Sequence, residues 1–492
     1  MVLKSVTATF FIVLAFFAGS LFIDGCVRPR VGYAVPMIGR SSFGMWLHVL
    51  MMSAVLGLVL TITGNFQASA LLAVALLALF MMVSNAKHAM LGEPLVFSDL
   101  ALIGAIFKHP QFYFSALTRS QKALLLIAAP VVPGIMWLSF VPSLRAHFIG
   151  FVLFVGSAVW IRLSVARPNL ENLAKADDVE GDVLRHGLLA TLIMHRARWR
   201  ETLDPSICEP LQTLPHPREL AVVIQCESFA DPVEIFGDPG LTLPGLSAAR
   251  AQAWQWGDLL VSGFGAYTMR TEYGVLFGRS EAELGFRRFD PYLTAQGEGS
   301  YALPSRLMAT GWRSAFVHPH DMRFYNREAI LRAGGFDELV GETCFSKPAP
   351  GEGRYVTDKA VAADILERAA KAELPTLIYA VTIENHGPWE GGNTKDSLID
   401  GYMRLVRNSD AMLITLKDQL AELGKPATLV FFGDHRPSIP GVSMPGGARH
   451  TPYVILRFNE AGEIVRGQGR RVDLAPAELH HTLLGLFSVP MA

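Results

Sequence analysis

The sequence has 492 residues, of which 51% are hydrophobic and 18% charged, with a formal net charge of −1. That length exceeds one ordinary domain. The near-zero charge excludes nucleic acid as the main partner, because a phosphate backbone demands a basic face, and no long basic tract or arginine–aromatic cluster supplies one.

The apolar excess is uneven. Residues 1–165 carry the long apolar runs, whereas 166–492 are mixed in charge and rich in Gly and Pro. A membrane span needs about 20 mostly apolar residues, and five stretches qualify: 7–23, 43–63, 66–83, 123–141 and 148–165. The first has only Lys4 as a basic flank and no small-residue cleavage site, so it reads as a retained helix and not a signal peptide. The third is short, which implies an upright helix or a thinned bilayer. Residues 88–114 mix apolar with polar side chains, include Pro94 and Pro110, and read as an interfacial segment. Five spans put the termini on opposite faces. Arg28, Arg30 and Arg40 in the first loop, with Lys87, Lys108 and Arg119 in the third, share a face with the C-terminal part, so loop charge leans towards a cytoplasmic domain.

Residues 166–215 form a linker with a helix expected around 183–200, ending in HRARWR. It either packs on the following domain or lies on lipid headgroups. Cys26 ends an apolar run, and Cys208, Cys226 and Cys344 follow without a C-x-x-C motif; one disulfide among these three stays open, and the plainer reading is small buried residues.

From residue 216 to 492 the pattern is that of an α/β domain. Apolar, β-branched runs at 220–226, 313–317, 376–383, 427–432 and 452–457 alternate with helical periodicity at 361–373 and 402–423. Continuous apolar strands separated by helices predict a mainly parallel central sheet covered by helices. Ligands of such sheets bind beyond the carboxyl ends of the strands. Three strands end there in chemistry-bearing residues: Glu227-Ser228, Glu384-Asn385-His386, and Gly433-Asp434-His435-Arg436.

Glu227, Asp434 and His435 suit a divalent metal. Equally, Glu227 suits a helix cap, and Asp434-His435 a hydrogen-bonded turn. The Gly-rich loop Ser262–Gly278, SGFGAYTMRTEYGVLFG, leads into a helical run whose first N–H groups can face an anion. It offers Thr268 and Thr271 as nucleophiles, since metal coordination makes a threonine alkoxide accessible.

The order Glu227, GAYTMRTEYGVLFG, HPHDMRFYNR, NHGPW and FFGDHRP resembles the lipoteichoic acid synthase family, membrane phosphoglycerol transferases of the alkaline phosphatase/sulfatase superfamily. The resemblance covers nearly the whole chain. It implies five N-terminal helices followed by an extracytoplasmic sulfatase-like domain. It also implies Glu227, Thr268, Asp434 and His435 as ligands of one divalent metal, Mn²⁺ foremost with Mg²⁺ or Zn²⁺ as alternatives. Thr268, four residues before Glu272 in a T-x-x-x-E-Y pattern, matches the nucleophile. His318, Tyr325, Arg327 and His386 match headgroup and phosphate contacts, with Tyr325 where the family often has Trp. His450 matches a position of the related phosphoethanolamine transferases.

The Ala- and Arg-rich composition suggests a high-GC, Gram-negative source, which makes no lipoteichoic acid. The expected reaction is therefore transfer of phosphoglycerol from a phospholipid, phosphatidylglycerol, to an envelope glycan through a phospho-threonine, at the periplasmic face of the inner membrane. Phosphoethanolamine transfer is the first alternative, and a non-catalytic envelope-assembly protein the second. A sulfatase proper would need a C/S-x-P-x-R motif, which is absent from the sequence.

Overall fold

The computed structural model describes residues 2–29, 40–102, 119–166, 170, 172–212, 216, 218–349, 352–389, 394–446, 448–467 and 469–488. The chain forms two compact units, Met1–Leu203 and Asp204–Ala492.

In the first unit, helices Ser42–Thr63, Phe66–Leu91 and Leu144–Val165 are long and apolar enough to cross a membrane. Phe11–Asp24 and Ala129–Leu138 are shorter apolar stretches, so three of the five expected spans meet the length and hydropathy requirement among the described residues. Polar side chains start each long helix. Ser41, Asn65 and Ser143 accept the N–H groups of Gly44, Ala68 and Ala146.

Phe66–Leu91 stops at Gly92, whose φ of 69° suits glycine. At 26 residues this span is not short, and it takes up the start of the expected interfacial segment. A 3₁₀ turn follows at Phe97–Leu102. The remainder of that segment, from residue 103, lies outside the described residues.

Ser42–Thr63 and Leu144–Val165 cross closely. A Cβ on Gly57 would lie 2.6 Å from the Phe154 nitrogen, and one on Gly150 would lie 2.5 Å from the Thr61 nitrogen. Small residues at such crossings let two backbones approach where lipid removes the hydrophobic drive.

The expected linker helix is two helices, Val179–His186 and Leu188–Glu201, separated by Gly187 at φ 88°. Leu188 and Leu192 join Val27, Leu95 and Val183 in one apolar cluster. This pair therefore belongs to the N-terminal unit.

The second unit is built on a seven-stranded sheet. Its strands are β1 (Leu220–Cys226), β2 (Gln255–Leu260), β3 (Arg313–Val317), β4 (Glu338–Val340), β5 (Thr376–Val381), β6 (Ala427–Gly433) and β7 (His450–Phe458), in spatial order β2-β7-β6-β1-β5-β3-β4. The run from β6 to β4 is parallel, and β7 pairs antiparallel with both β6 and β2. The sheet is thus mainly parallel, as expected, with an antiparallel edge.

β1 and β6 are buried along their whole length, which requires cover on both faces. Leu220, Val222 and Ile224 share one apolar core with Val361 and Ile365 of the Asp358–Lys371 helix and with Val406, Leu413 and Leu416 of the Lys395–Glu422 helix. Two strands escaped the sequence reading: β4 has three residues, and β2, QWGDLL, interrupts its apolar residues with Gly and Asp. Cys226 is buried in β1, whereas Cys344 is exposed, contrary to the burial expected of it.

Candidate active site

The parallel register of β1 and β6 pairs Cys226 with Gly433, so the chain leaves both strands at the same level. Glu227 and Asp434 follow at once. A Cβ on Gly433 would lie 1.8 Å from the Phe229 carbonyl oxygen, so only glycine lets the turn after β1 pass this close. Ser228 adopts φ 51° there. Its N–H donates to Asp434 Oδ1 at 2.8 Å, and its hydroxyl donates to Glu227 Oε1 at 2.8 Å. The His435 N–H also donates to Asp434 Oδ1, at 2.8 Å.

Glu227, Asp434 and His435 converge, each offering one ligand atom, all within 4.8 Å of one another. His435 Nδ1 faces the Arg436 carbonyl at 3.1 Å. A carbonyl only accepts, so Nδ1 carries a proton and Nε2 points to the carboxylates, 3.4 Å from Glu227 Oε1 and 3.5 Å from Asp434 Oδ2. Burial, with the Glu227 charge second, pushes the Asp434 carboxyl up to about 7. Burial alone would lower the His435 imidazole, but Asp434 and Glu227 outweigh it and raise it.

Asp434 Oδ2 is buried and has no hydrogen-bond partner among the described residues. A buried orphan acceptor costs free energy. Here it adjoins a second carboxylate oxygen and an imidazole nitrogen, a donor set that fits a divalent cation with O and N ligands.

Thr268 opens the Thr268–Phe277 helix, and its side chain works against the rise that burial causes in the Asp434 pKa. Tyr267, just before it, holds φ 74°, a conformation costly for a bulky residue. Gly265 at φ 65° donates its N–H to the Arg436 carbonyl, which ties this loop to the turn bearing His435. Thr271 is fully buried and donates its hydroxyl to the Asp434 carbonyl at 2.9 Å. Of the two threonines, Thr268 adjoins the carboxylates, while Thr271 is engaged with main chain.

The four non-glycine residues with positive φ among the described residues are Ser228, Tyr267, Tyr325 and Asn326. They flank Glu227, Thr268 and Arg327. Strain of this kind clusters at functional sites, and nothing in the sequence signals it.

His318 and Arg327 lie deeper than expected. Arg327 is 2% exposed. Its Nε and Nη2 reach Glu272 Oε1 and Oε2 at 3.0 and 2.9 Å, and Nη1 donates to His318 Nε2 at 3.0 Å. His318 Nδ1 donates in turn to the Val381 carbonyl, and Tyr292 donates to Glu272 Oε1 at 2.5 Å. Burial and the Arg327 charge hold the His318 pKa well below its usual value. The fork expected on a phosphate is therefore directed at Glu272, one turn along the helix from Thr268, because a buried carboxylate requires a partner. Tyr325 lies beside it, 5.4 Å from the Arg327 guanidinium carbon. His386 is half-buried with Nδ1 donating to the Gly387 carbonyl at 2.6 Å.

His450 does not join the first trio. Its Nε2 lies 2.8 Å from Glu234 Oε2 and 3.2 Å from Asp258 Oδ2. These three also offer converging ligand atoms. However, Arg436 reaches Glu234 at 3.0 Å and Arg471 reaches Asp258 at 2.6 Å, so two guanidinium groups already balance the two carboxylates and no cation is called for.

A Sulfatase family model matches residues 219–489. The capsular polysaccharide biosynthesis protein RkpI of Rhizobium meliloti (strain 1021) is 31% identical over 434 residues, 82% of this chain and 80% of that protein. A lipoteichoic acid synthase of Staphylococcus saprophyticus is 26% identical over 154 residues, 28% of this chain and 24% of that protein. The lipooligosaccharide phosphoethanolamine transferase A of Neisseria meningitidis, an integral membrane protein, shares the fold with a TM-score of 0.54 at 12% identity, covering 92% of this chain and 96% of that one.

Proposed function

The chain belongs to the sulfatase family, and from that premise we propose that it moves phosphoglycerol from a phospholipid, phosphatidylglycerol, to an envelope glycan through a phospho-threonine at Thr268. The observation that carries this reading is the position of Thr268. Its side chain, at a helix start behind a strained residue, acts on the Asp434 carboxylate, one oxygen of which is a buried orphan among the described residues.

Glu227, Asp434 and His435 would hold a divalent cation, which when bound would supply the acidity that lets a threonine hydroxyl ionise and would offset charge on a phosphoryl group. The ionised Thr268 Oγ attacks phosphorus, and the bond to the diacylglycerol oxygen breaks. His386 gives that oxygen a proton. In the second step His386 takes the proton of an acceptor hydroxyl, whose oxygen displaces Thr268 Oγ. Tyr325 packs on the headgroup. Arg327 keeps a positioning role: through Glu272 it braces the helix that carries Thr268, and it fixes the tautomer of His318.

The relation to a capsular polysaccharide biosynthesis protein supports an envelope glycan as acceptor. It also favours the catalytic unit on the periplasmic side, against the leaning of the loop charges. A reporter fused after Ala492 tests the orientation: a cytoplasmic signal contradicts the proposal. The decisive measurement is the mass of the Thr268 adduct after incubation with phosphatidylglycerol and phosphatidylethanolamine. A glycerophosphoryl mass supports the reading, an ethanolamine-phosphate mass replaces it, and no adduct sinks both.

A further inference from the structure

Arg436 follows His435 and joins it to the loop that carries Thr268. Its carbonyl faces His435 Nδ1 at 3.1 Å and accepts the Gly265 N–H at 2.9 Å. The two segments are tightly packed: a Cβ on Gly265 would lie 2.4 Å from Ser438 Cβ. The turn after β6 and the loop before Thr268 therefore share the Arg436 peptide as a common support. The Arg436 side chain fixes that peptide from the other side. Nε donates to the His450 carbonyl at 2.7 Å, and Nη2 donates to Glu234 Oε2, on the Pro232–Phe236 helix, at 3.0 Å. Nη2 also lies 2.7 Å from His450 Nε2. With 11% of its side chain exposed, Arg436 is a fastened group and not a solvated surface arginine.

His450 Nε2 has three neighbours that ask opposite things of it. Glu234 Oε2 at 2.8 Å and Asp258 Oδ2 at 3.2 Å are acceptors and call for a proton on Nε2. Arg436 Nη2 is a donor and calls for a lone pair there. One nitrogen cannot serve both. In the neutral ring with its proton on Nδ1, Nε2 accepts from Arg436, and the guanidinium keeps three acceptors. In the charged ring the Nε2 proton turns to the carboxylates and repels the guanidinium, which keeps two. The other charges about the ring are Arg471, held on Asp258 at 2.6 Å, and Asp473, held on Arg471 at 2.9 Å. These two offset each other, so the competition is between Arg436 on one side and Glu234 with Asp258 on the other.

We infer that Arg436 is a positioning residue for His435 and Thr268, and that a proton on His450 loosens its hold, so that transfer weakens when that ring is charged. Groups that orient a metal-binding imidazole set its affinity and reactivity. Here the orienting group is a main-chain carbonyl whose place depends on the side chain of the same residue. Pro437 restricts the Arg436 backbone, so little of a side-chain shift is absorbed at that residue's own dihedrals. The inference rests on the proposed transfer through Thr268 and adds a proton-dependent support to it.

The test uses the full chain in detergent and reads two quantities, Mn²⁺ affinity by calorimetry and the rate of Thr268 adduct formation from phosphatidylglycerol. Arg436→Gln should weaken Mn²⁺ binding about 10-fold and lower kcat about 10- to 100-fold, with KM for the lipid nearly unchanged. Arg436→Lys, which keeps the charge and loses the fork, should fall between it and the wild type. Relative to its own rate at about pH 8.5, the wild type should lose about 10-fold more at about pH 5.5 than His450→Gln, because the glutamine amide oxygen can accept from Arg436 at either pH. In the Arg436→Gln background, His450→Gln should make no such difference. Wild-type Mn²⁺ affinity and rate in Arg436→Gln overturn the positioning role, and so does a rise in KM alone, which would place the guanidinium on substrate. An acid loss that His450→Gln leaves in place, or relieves equally in both backgrounds, overturns the proton step. If the wild type forms no adduct the proposed function fails, and the same pattern of variants is then read from Mn²⁺ affinity against pH.

Discussion

The two units of this chain solve the burial of polar backbone in opposite ways. The N-terminal unit satisfies it within each helix and then brings helices together through small residues. Gly57 and Gly150 occupy the crossing of Ser42–Thr63 with Leu144–Val165, where a Cβ would strike backbone atoms at 2.5–2.8 Å. The C-terminal unit satisfies it between strands, and that pairing delivers charged side chains to one sheet edge. In the first unit the critical positions lack side chains. In the second they are carboxylates, imidazoles and one guanidinium, buried and mutually dependent. The chemistry is therefore confined to the second unit, where neighbouring buried groups divide it from stability.

The largest test of that contrast is Thr268→Ala. Transfer should fall by at least about 10³-fold, with the thermal transition of the protein unmoved. Thr271→Ala should do the reverse, keeping measurable transfer while costing about 1–3 kcal/mol, because the Asp434 carbonyl loses its buried donor. Adduct mass and thermal denaturation read the two outcomes.

Arg327→Ala comes next. It strands Glu272, which is 0% exposed, and should cost about 3–5 kcal/mol. If Arg327 instead acted only on substrate, KM would rise without loss of stability, and the positioning role would be wrong.

A third prediction concerns pH and metal. Asp434 and Asp358 keep their protons in the folded protein to about pH 7, Asp358 through burial and the nearby Glu384 charge, whereas the unperturbed carboxyl titrates at 3.8. The folded state binds the extra protons between those values, so chelated protein should lose stability as pH rises from about 4 to about 7. His435, raised as well, loses stability in the same direction. Added Mn²⁺ should restore a few kcal/mol at pH 7.5. Unchanged melting on metal addition would remove the metal assignment.

The smallest effects lie in the first unit. Gly57→Ala should lower the detergent melting temperature of the chain by an amount worth about 1–3 kcal/mol, yet leave Mn²⁺ affinity as it was. Gly156→Ala, with no atom of the described residues within 4 Å of its added carbon, should not lower the melting temperature, since alanine favours a helix over glycine, and should leave Mn²⁺ affinity as it was.

How far the sequence revealed each unit follows the same division. Apolar length betrayed the spans, but glycine at a crossing looks like any other glycine, so the packing was hidden. Gly187 also gave no sign that it would break the helix expected over 183–200. In the second unit, β1, β3 and the core of β5 and β6 announced themselves by continuous apolar runs. β2 and β4 did not, because their places are set by neighbours: Trp256 and Asp258 pair with Val454 and Pro452 of β7. The trio Glu227, Asp434 and His435 was visible as polar residues following apolar strands. The support from Ser228 was not, since its contribution is a backbone N–H at φ 51°. The inward turn of Arg327 was also hidden, because spacing shows which residues are neighbours and not which way a guanidinium faces.

Asp434 Oδ1 is held by two main-chain N–H groups, from Ser228 and His435, and the Asp434 N–H bonds the Cys226 carbonyl. No exchange of one side chain for another removes those donors; only proline does. The orientation of this carboxylate is therefore inherited with the β1–β6 register. A lineage built on this chain can vary the side chains around this carboxylate without having to rediscover its geometry.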